Sequence, residues 1–427
     1  MRVLMLVWTG VATDTRVLRE ATTLVDAGHR VHIIGRGVPA DFSPPDGITV
    51  ASAGAPPLAQ GRTRRLSAPE RAVRWALLPV HIDRRLRAWT AQAAGLAREW
   101  AAGSGTPDVI HAHDYTTLEL ADELAQEWQV PFIYDSHEYW RGRPQEGRPA
   151  PVRARRERRT ESAVAARATA VLTVGEGVAE ALREDNPHWP PITVVRNSFP
   201  AREDAPPPAS PPTAAVYAGR LARDRELETI AAASRCTDLP LVVMGPADES
   251  WLAGFDAGRA TVLPAGTMQE VDERLTSAGI ALVTHSDSWK NHRLALPNKL
   301  FHALSLGVPV VATEVGELAA AVRAYDCGVL YPPGDAAALA DAIEEVRSRH
   351  AYFCERARAA RAESGWPRDR AALLDVYAEM SPRRPGPVVP APDSGDVRAR
   401  QGTPEHQSRT TDEPRPDQHE ADESEPA

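Results

Sequence analysis

The chain has 427 residues, of which 43% are hydrophobic and 25% charged, and a formal net charge of −9 at pH 7. That length exceeds one ordinary hydrophobic core, so two folded domains are expected. Three widely spaced cysteines, Cys236, Cys327 and Cys354, argue against a disulfide framework and a cysteine metal site and fit a reducing cytoplasm, and no apolar run approaches the roughly 18 residues of a membrane span.

Val3–Trp8 is too short for the apolar region of a signal peptide and reads as a first buried strand. Strands are predicted at Arg2–Val7, Arg30–Ile34, Ile48–Ala51, Val109–Ala112, Phe132–Tyr134, Ala170–Thr173 and Ile192–Val195. A helix over about Asp14–Ala27 stops at Gly28 and re-enters a strand, the βαβ order of a mainly parallel α/β sheet with helices on both faces. Trp75, Leu78, Ile82, Leu86 and Trp89 recur at helical spacing, with Pro79 limiting that helix to a start near Leu78. The stripe reads as core, or as a membrane-facing edge because arginines flank it. Pro200–Pro212 is proline-rich, polar and unsuited to either regular element, hence a linker.

The pattern restarts with strands at Thr213–Ala218, Pro240–Met244, Thr261–Leu263, Gly279–Thr284, Val308–Ala312 and Gly328–Leu330, and helices at Ala336–His350, Tyr352–Ser364 and Trp366–Met380. Within it, Leu294–Thr313 combines a turn at Pro297–Asn298, a helix over Lys299–Leu306, a Gly307 stop and a buried strand. The free N–H groups and positive end of such a helix suit phosphate, although core packing explains the same pattern. From Pro382 onward there is too little apolar surface to offset ordering entropy, so disorder is expected. The expected division is residues 1–199 and 213–364 as two domains, 200–212 as linker, 365–381 as a final helix and 382–427 as an acidic tail.

Residues 405–427 carry eight acids and two arginines, which leaves residues 1–404 at −3. Within them, residues 62–87 hold eight arginines against two acids, and residues 141–167 hold nine against three glutamates. These are solvated helix faces or peripheral contacts with an anionic membrane or an acidic acceptor. Nucleic acid is disfavoured because aromatics do not interleave the cations at strand spacing.

Open parallel sheets bind ligands beyond the carboxyl ends of their strands. There the chain places Thr9, Gly10, His111, His113, Asp114, Asp135, Ser136, His137, Glu138 and Asn197, and in the second half Gly219, Arg220, Gly245 and His285. His111 and His113 point the same way from one strand, so a three-histidine zinc site with His137 is one arrangement; an oriented base or satisfied structural histidines are the others. Arg220 and Arg225, if they face Lys299, would present three cations to one helix start, which suits a diphosphate.

Six stretches in order, TDTRVLREATTLVDAGHRVHIIG, PDVIHAHDYTTL, FIYDSHEYW, VVRNSFP, YAGRLARDRELETI and LPNKLFHALSLGVPVVAT, resemble the glycosyltransferases of the two-Rossmann-domain (GT-B) type, close to family 4. The resemblance covers residues 1–380 and implies two domains facing across a cleft. It also implies a cytoplasmic enzyme moving a sugar from a nucleotide-sugar, UDP- or GDP-linked, to an acceptor such as a bacterial surface polysaccharide, glycolipid or metabolite. Retention of configuration and no bound metal or other cofactor are implied with it. By position, Arg220 and Arg225 would neutralise the leaving diphosphate beside Gly219 and Gly245, and Asn298, Lys299 and Leu300 would hold phosphate. His137 would hydrogen-bond the transferred sugar, with Gly10, His113, Asp114 and Glu138 on the acceptor side. The final helix would cross back onto the first domain, and closure about the hinge would exclude water. The chain departs from the family at Leu294 and His302, where glutamates are usual, His302 standing for the ribose-binding one, and at Glu226, where glycine is usual. A non-catalytic binding or scaffold protein of the same fold, with a degenerate donor site, is the alternative.

Overall fold

Short runs of β-branched and aliphatic residues separated by helices leave this chain one good way to bury itself, a parallel sheet covered on both faces. The computed structural model describes residues 1–54, 68–143, 148–223 and 225–380. The expected disorder of residues 382–427 and part of the arginine-rich segments, residues 62–67 and 144–147, lie outside them.

The first lobe is a seven-stranded parallel sheet of β1 (Arg2–Val7), β2 (Arg30–Arg36), β3 (Ile48–Ala53), β4 (Val109–His113), β5 (Phe132–Ser136), β6 (Ala170–Thr173) and β7 (Ile192–Val194), in the order β3-β2-β1-β4-β5-β6-β7. Its helices are α1 (Thr15–Asp26), α2 (Ala68–Ser104), α3 (Tyr115–Trp128), α4 (Pro151–Ala165) and α5 (Glu176–Asp185). Strand residues alternate between two cores: Leu4, Leu6, Ile110 and Tyr134 pack on one face, Val3, Met5, Ile33 and Val109 on the other.

The second lobe has α6 (Leu227–Ala233), α7 (Glu249–Leu252), α8 (Met268–Ala278), α9 (Lys290–Leu294), α10 (Asn298–Ser305), α11 (Gly316–Tyr325), α12 (Ala336–Ser348), α13 (His350–Ser364) and α14 (Trp366–Met380). They surround six parallel strands, β8 (Ala214–Ala218), β9 (Leu241–Met244), β10 (Thr261–Leu263), β11 (Gly279–Val283), β12 (Val310–Thr313) and β13 (Gly328–Tyr331), in the order β10-β9-β8-β11-β12-β13. Strand order reverses between β1 and β4 and again between β8 and β11, so the crevices that can hold a ligand open beyond those strand ends.

Two elements matter beyond their own lobe. Helix α14 returns to the first sheet, where Leu373, Val376 and Tyr377 join the core of Val3, Met5 and Ile33. Helix α2 corrects the expected start near Leu78, since it runs from Ala68 straight through Pro79. A proline orphans the carbonyl four residues back. Here that carbonyl, Trp75 O, accepts from the Arg148 N–H at 3.1 Å. The Arg148 guanidinium also donates to Ala76 O at 3.0 Å. The segment leading into α4 thus satisfies the group the proline leaves unpaired, and the helix continues.

Candidate active site

At the carboxyl end of the first sheet, β4 and β5 bring their polar residues into one buried cluster. His111 and His113 alternate onto the same face of β4, and their rings stack with centroids 4.2 Å apart. His111 Nδ1 lies 2.8 Å from the Tyr377 hydroxyl of α14. His113 Nδ1 lies 3.2 Å from Asp135 Oδ2 on β5. Arg16 reaches the same carboxylate from the buried face of α1, donating from Nε at 2.9 Å and Nη2 at 2.7 Å. Its Nη1 donates to Val195 O at 2.6 Å and Asn197 Oδ1 at 3.2 Å. This fork fixes the strand ends against one another. Burial alone would raise the Asp135 carboxyl, but Arg16 and then His137 outweigh it and hold it well below the usual range. Glu20 Oε1 lies 3.0 Å from Arg16 Nη2, and neither of its oxygens has an aligned hydrogen bond; burial raises its carboxyl despite Arg16.

His137 caps this cluster. Its Nε2 lies 3.1 Å from Asp135 Oδ2, and its Nδ1 lies 3.4 Å from Asp114 Oδ2. Burial works against the imidazolium, but Asp114 and Asp135 prevail and push the ring up to about 10. Both ring nitrogens therefore face the protein's own carboxylates, whereas the family resemblance assigns one to the transferred sugar. Asp114 adopts φ 65 and ψ 163 at the start of α3, a conformation that costs a non-glycine residue about 1–3 kcal/mol. Its carboxylate accepts from His137 N at 3.2 Å, and its own N–H donates to Asp135 O at 2.8 Å. Gly10 opens the short turn Val11–Thr13 with an ordinary φ of −76, and a Cβ there would meet only normal contacts.

The zinc arrangement considered from the sequence is rearranged by the fold. Glu20, His111, His113 and Asp135, rather than three histidines, offer ligand atoms within 4.8 Å of one another. Arg16 already places its positive charge against both carboxylates, and His137 lies outside that group.

Across the cleft, the second lobe builds a cationic site. Gly245 has φ +144, and a Cβ on it would lie 2.0 Å from Gly219 O, so the loops after β8 and β9 touch only because that residue is glycine. A Cβ at Gly219 would sit 3.4 Å from Lys299 Cδ, which places Lys299 directly beneath that loop. The Lys299 ammonium is pushed down to about 7, by burial first and by the Arg225 guanidinium second. His285 is pushed down to about 3 by burial, then by Lys299, His292 and Arg225. Among the described residues no carboxylate forms an ion pair with Arg225 or Lys299. Thr284 Oγ1 donates to Arg225 O at 2.6 Å and fixes that loop on β11. Of the three expected cations, Arg225 and Lys299 converge, while Arg220 is exposed and contributes its carbonyl to the Tyr217 hydroxyl at 3.0 Å. Asn298 is exposed at the start of α10, and Leu300 is buried with its N–H on Pro297 O at 3.0 Å. His302 sits one turn further on, buried, with Nε2 2.6 Å from Asp272 Oδ1 and its ring stacked on Phe199. A carboxylate only accepts, so that nitrogen is a donor here and not the acceptor expected for a ribose hydroxyl.

Asn291 joins the two halves. Its Oδ1 accepts from Tyr139 N at 2.9 Å and its Nδ2 donates to Glu138 Oε2 at 2.9 Å. Glu138 also pairs with Arg143 at 3.1 Å, and burial raises its carboxyl despite that partner. Sequence reasoning had not singled out Arg16, Glu20, Asp272 or Asn291. Arg16 and Glu20 carry one signal, two charges at i and i+4 on the face of α1 that also holds Val17, Ala21 and Leu24.

The family model of the glycosyl transferase 4-like domain matches residues 10–198, and that of the glycosyl transferases group 1 matches residues 213–348, one on each lobe. The chain belongs to the GT-B glycosyltransferases of the family 4-like type. Among its relatives are a glycogen synthase of Mycobacterium tuberculosis, 27% identical over 315 residues covering 69% of this chain and 74% of the relative. A D-inositol 3-phosphate glycosyltransferase of Xylanimonas cellulosilytica is 27% identical over 326 residues covering 68% and 77%. Among solved structures, the sucrose-phosphate synthase of Thermosynechococcus elongatus superposes with a TM-score of 0.65 at 17% identity, covering 89% of this chain and 99% of that one. The Anabaena protein HepE in complex with UDP-glucose superposes with 0.66 at 15% identity, covering 89% and 100%. In this glycosyltransferase no described helix is long and apolar enough to cross a membrane.

Proposed function

We propose that this glycosyltransferase takes a nucleotide-sugar, UDP- or GDP-linked, as donor and transfers the sugar with retention to an acceptor in the cytoplasm. The observation that carries the reading is the pair Arg225 and Lys299. Two neighbouring cations with no ion-paired carboxylate among the described residues repel one another, and this repulsion adds to burial, the larger cause, in depressing the Lys299 ammonium. An anion relieves that repulsion, and a leaving diphosphate is the anion the reaction develops at this place. The start of α10 adds its N–H groups and positive end. Fixed charge at the point where charge develops is the term that usually dominates such catalysis. The acceptor would enter from the side of Gly10, Asp114 and Glu138, with the His137 imidazolium and its two carboxylates forming a charged floor. Among the described residues, Asp114, Asp135 and Glu138 each hold a cationic or amide partner and do not form the free carboxylate pair of a glycosidase.

Thermal unfolding with nucleoside diphosphates tests the donor site without knowledge of the acceptor. UDP or GDP at millimolar concentration should raise Tm by several degrees, through preferential binding to the folded state. Arg225→Ala and Lys299→Ala should each remove most of that shift. The reading fails if no nucleoside diphosphate shifts Tm, or if both variants respond like the parent.

A further inference from the structure

Exposed apolar side chains on this molecule are concentrated rather than scattered. Five of the seven large ones among the described residues, Val73, Trp75, Leu77, Val80 and Val152, lie on the first half of α2 and at the start of α4, each 53–84% exposed. Helical geometry sorts those on α2. Leu78, Ile82, Leu86 and Trp89 form the stripe that turns toward the sheet, with Trp75 at the end of that stripe, past the edge of the core. Val73, Leu77 and Val80 lie on the opposite stripe, which continues with the exposed Arg84 and Arg87 at i+11 and i+14.

Helix α4 repeats the pattern. Val152 leads a stripe that continues with the exposed Arg155, Arg156 and Arg159. The two helices are fastened together, Asp83 of α2 pairing with Arg153 at 3.1 Å and Arg156 at 3.4 Å, while Arg148 holds the Trp75 and Ala76 carbonyls. The acids on this face are engaged, Asp83 as above and Glu157 with Arg153 at 2.7 Å. Among the described residues, Arg84, Arg87, Arg155 and Arg159 form no ion pair. The face therefore combines an apolar end with a single-signed band of cations beside it.

We propose that this α2–α4 face docks on an anionic phospholipid bilayer, with Val73, Leu77 and Val80 entering the headgroup boundary and the arginines meeting the phosphates. An interfacial helix needs both features, apolar area for depth and cations for attraction. Docking would bring the first lobe to a membrane-held acceptor, and it is independent of the donor-site reading.

Co-sedimentation of the full chain tests the proposal, using vesicles of equal parts phosphatidylcholine and phosphatidylglycerol against vesicles of phosphatidylcholine alone. The chain should sediment with the anionic vesicles only, less so as salt is raised. Arg84→Glu with Arg87→Glu should weaken partition at least about thirtyfold, from the loss of two surface cations. Leu77→Asp with Val80→Asp should abolish it, with far-ultraviolet circular dichroism unchanged because both positions are exposed; should that pair misfold, Leu77→Ser supplies the same comparison. No sedimentation with anionic vesicles, or undiminished sedimentation of both double variants, overturns the proposal. So does sedimentation equilibrium that finds a dimer dissociated by Leu77→Asp with Val80→Asp, since a second copy then covers the face.

Discussion

Lys299 is the residue at which the donor-site reading becomes quantitative. Its ammonium falls from an ordinary 10.5 to about 7, through burial and Arg225. Between those values the unfolded chain holds a proton there that the folded chain does not, so this group's contribution makes the fold more stable as pH rises through the window and penalises it below about 7. A bound diphosphate favours the ammonium and reverses the preference. Binding above pH 7 should therefore take up a proton, and Kd for UDP or GDP should rise about tenfold per pH unit until the bound-state value is reached. Calorimetry in two buffers of different ionisation enthalpy reads the proton directly, and Lys299→Arg should flatten the pH slope; equal heats in both buffers would contradict the assignment. At this scale the sequence was informative about types and less so about partners. The strand-end histidines, Asp114, Asp135 and Lys299 stand out because they interrupt apolar runs at predictable places. Arg16 and Asp135 are 119 residues apart, and Asp272 and His302 are 30 apart, so which charge meets which depends on the sheet order and helix packing. His302 illustrates the difference: its position suggested a ribose contact, and its nitrogen is spent on Asp272 instead.

Elements were easier to read, because glycine, proline and capping residues punctuate them. Arg2–Val7, Ala170–Thr173, Thr261–Leu263 and Trp366–Met380 have the expected bounds, and the other strands differ by one or two residues at their ends. The failure at α2 has a local cause, since the rule that proline ends a helix assumes an orphaned carbonyl, and Arg148 supplies the missing donor to Trp75 O from a distant part of the sequence. Helix α14 shows how one element is held across the molecule. Asp369 accepts from Arg196 N at 3.0 Å, Arg196 Nε and Nη2 at 3.1 Å and Ser198 Oγ at 2.5 Å, all buried. Asp369→Ala leaves Arg196 as an uncompensated, largely buried charge, which costs about 3–5 kcal/mol. Urea unfolding should show a lower midpoint in one cooperative transition, because Leu373, Val376 and Tyr377 make α14 part of the first core. A transition with the parent's midpoint would mean that the ion pair does not anchor the helix.

At the scale of the whole molecule, the two lobes meet where the chemistry would occur. Asn291 bonds both Tyr139 N and Glu138 Oε2, Lys290 Nζ lies 4.6 Å over the Tyr139 ring, and Arg196 Nη1 approaches the Tyr325 hydroxyl at 3.4 Å. Leu294 adds an apolar contact, packing on the first lobe's core, and the lobes are joined covalently through the segment following β7, about which such an interface can open and close. Asn291 sits on α9 of the second lobe, so replacing it by alanine touches neither sheet. Losing two hydrogen bonds should cost the closed arrangement about 1–3 kcal/mol, a shift of the closed-to-open ratio by about 5- to 150-fold. Small-angle scattering of Asn291→Ala should give a larger radius of gyration than the parent, and saturating UDP or GDP should return it toward the parent value, because a ligand touching both lobes adds its own differential affinity to closure. An unchanged radius in the variant would show that the remaining contacts hold the lobes together without Asn291. A larger radius that no nucleotide reverses would show that the diphosphate binds the second lobe alone. In that case closure would depend on the acceptor, and turnover of donor in its absence would be slow in the parent and the variant alike.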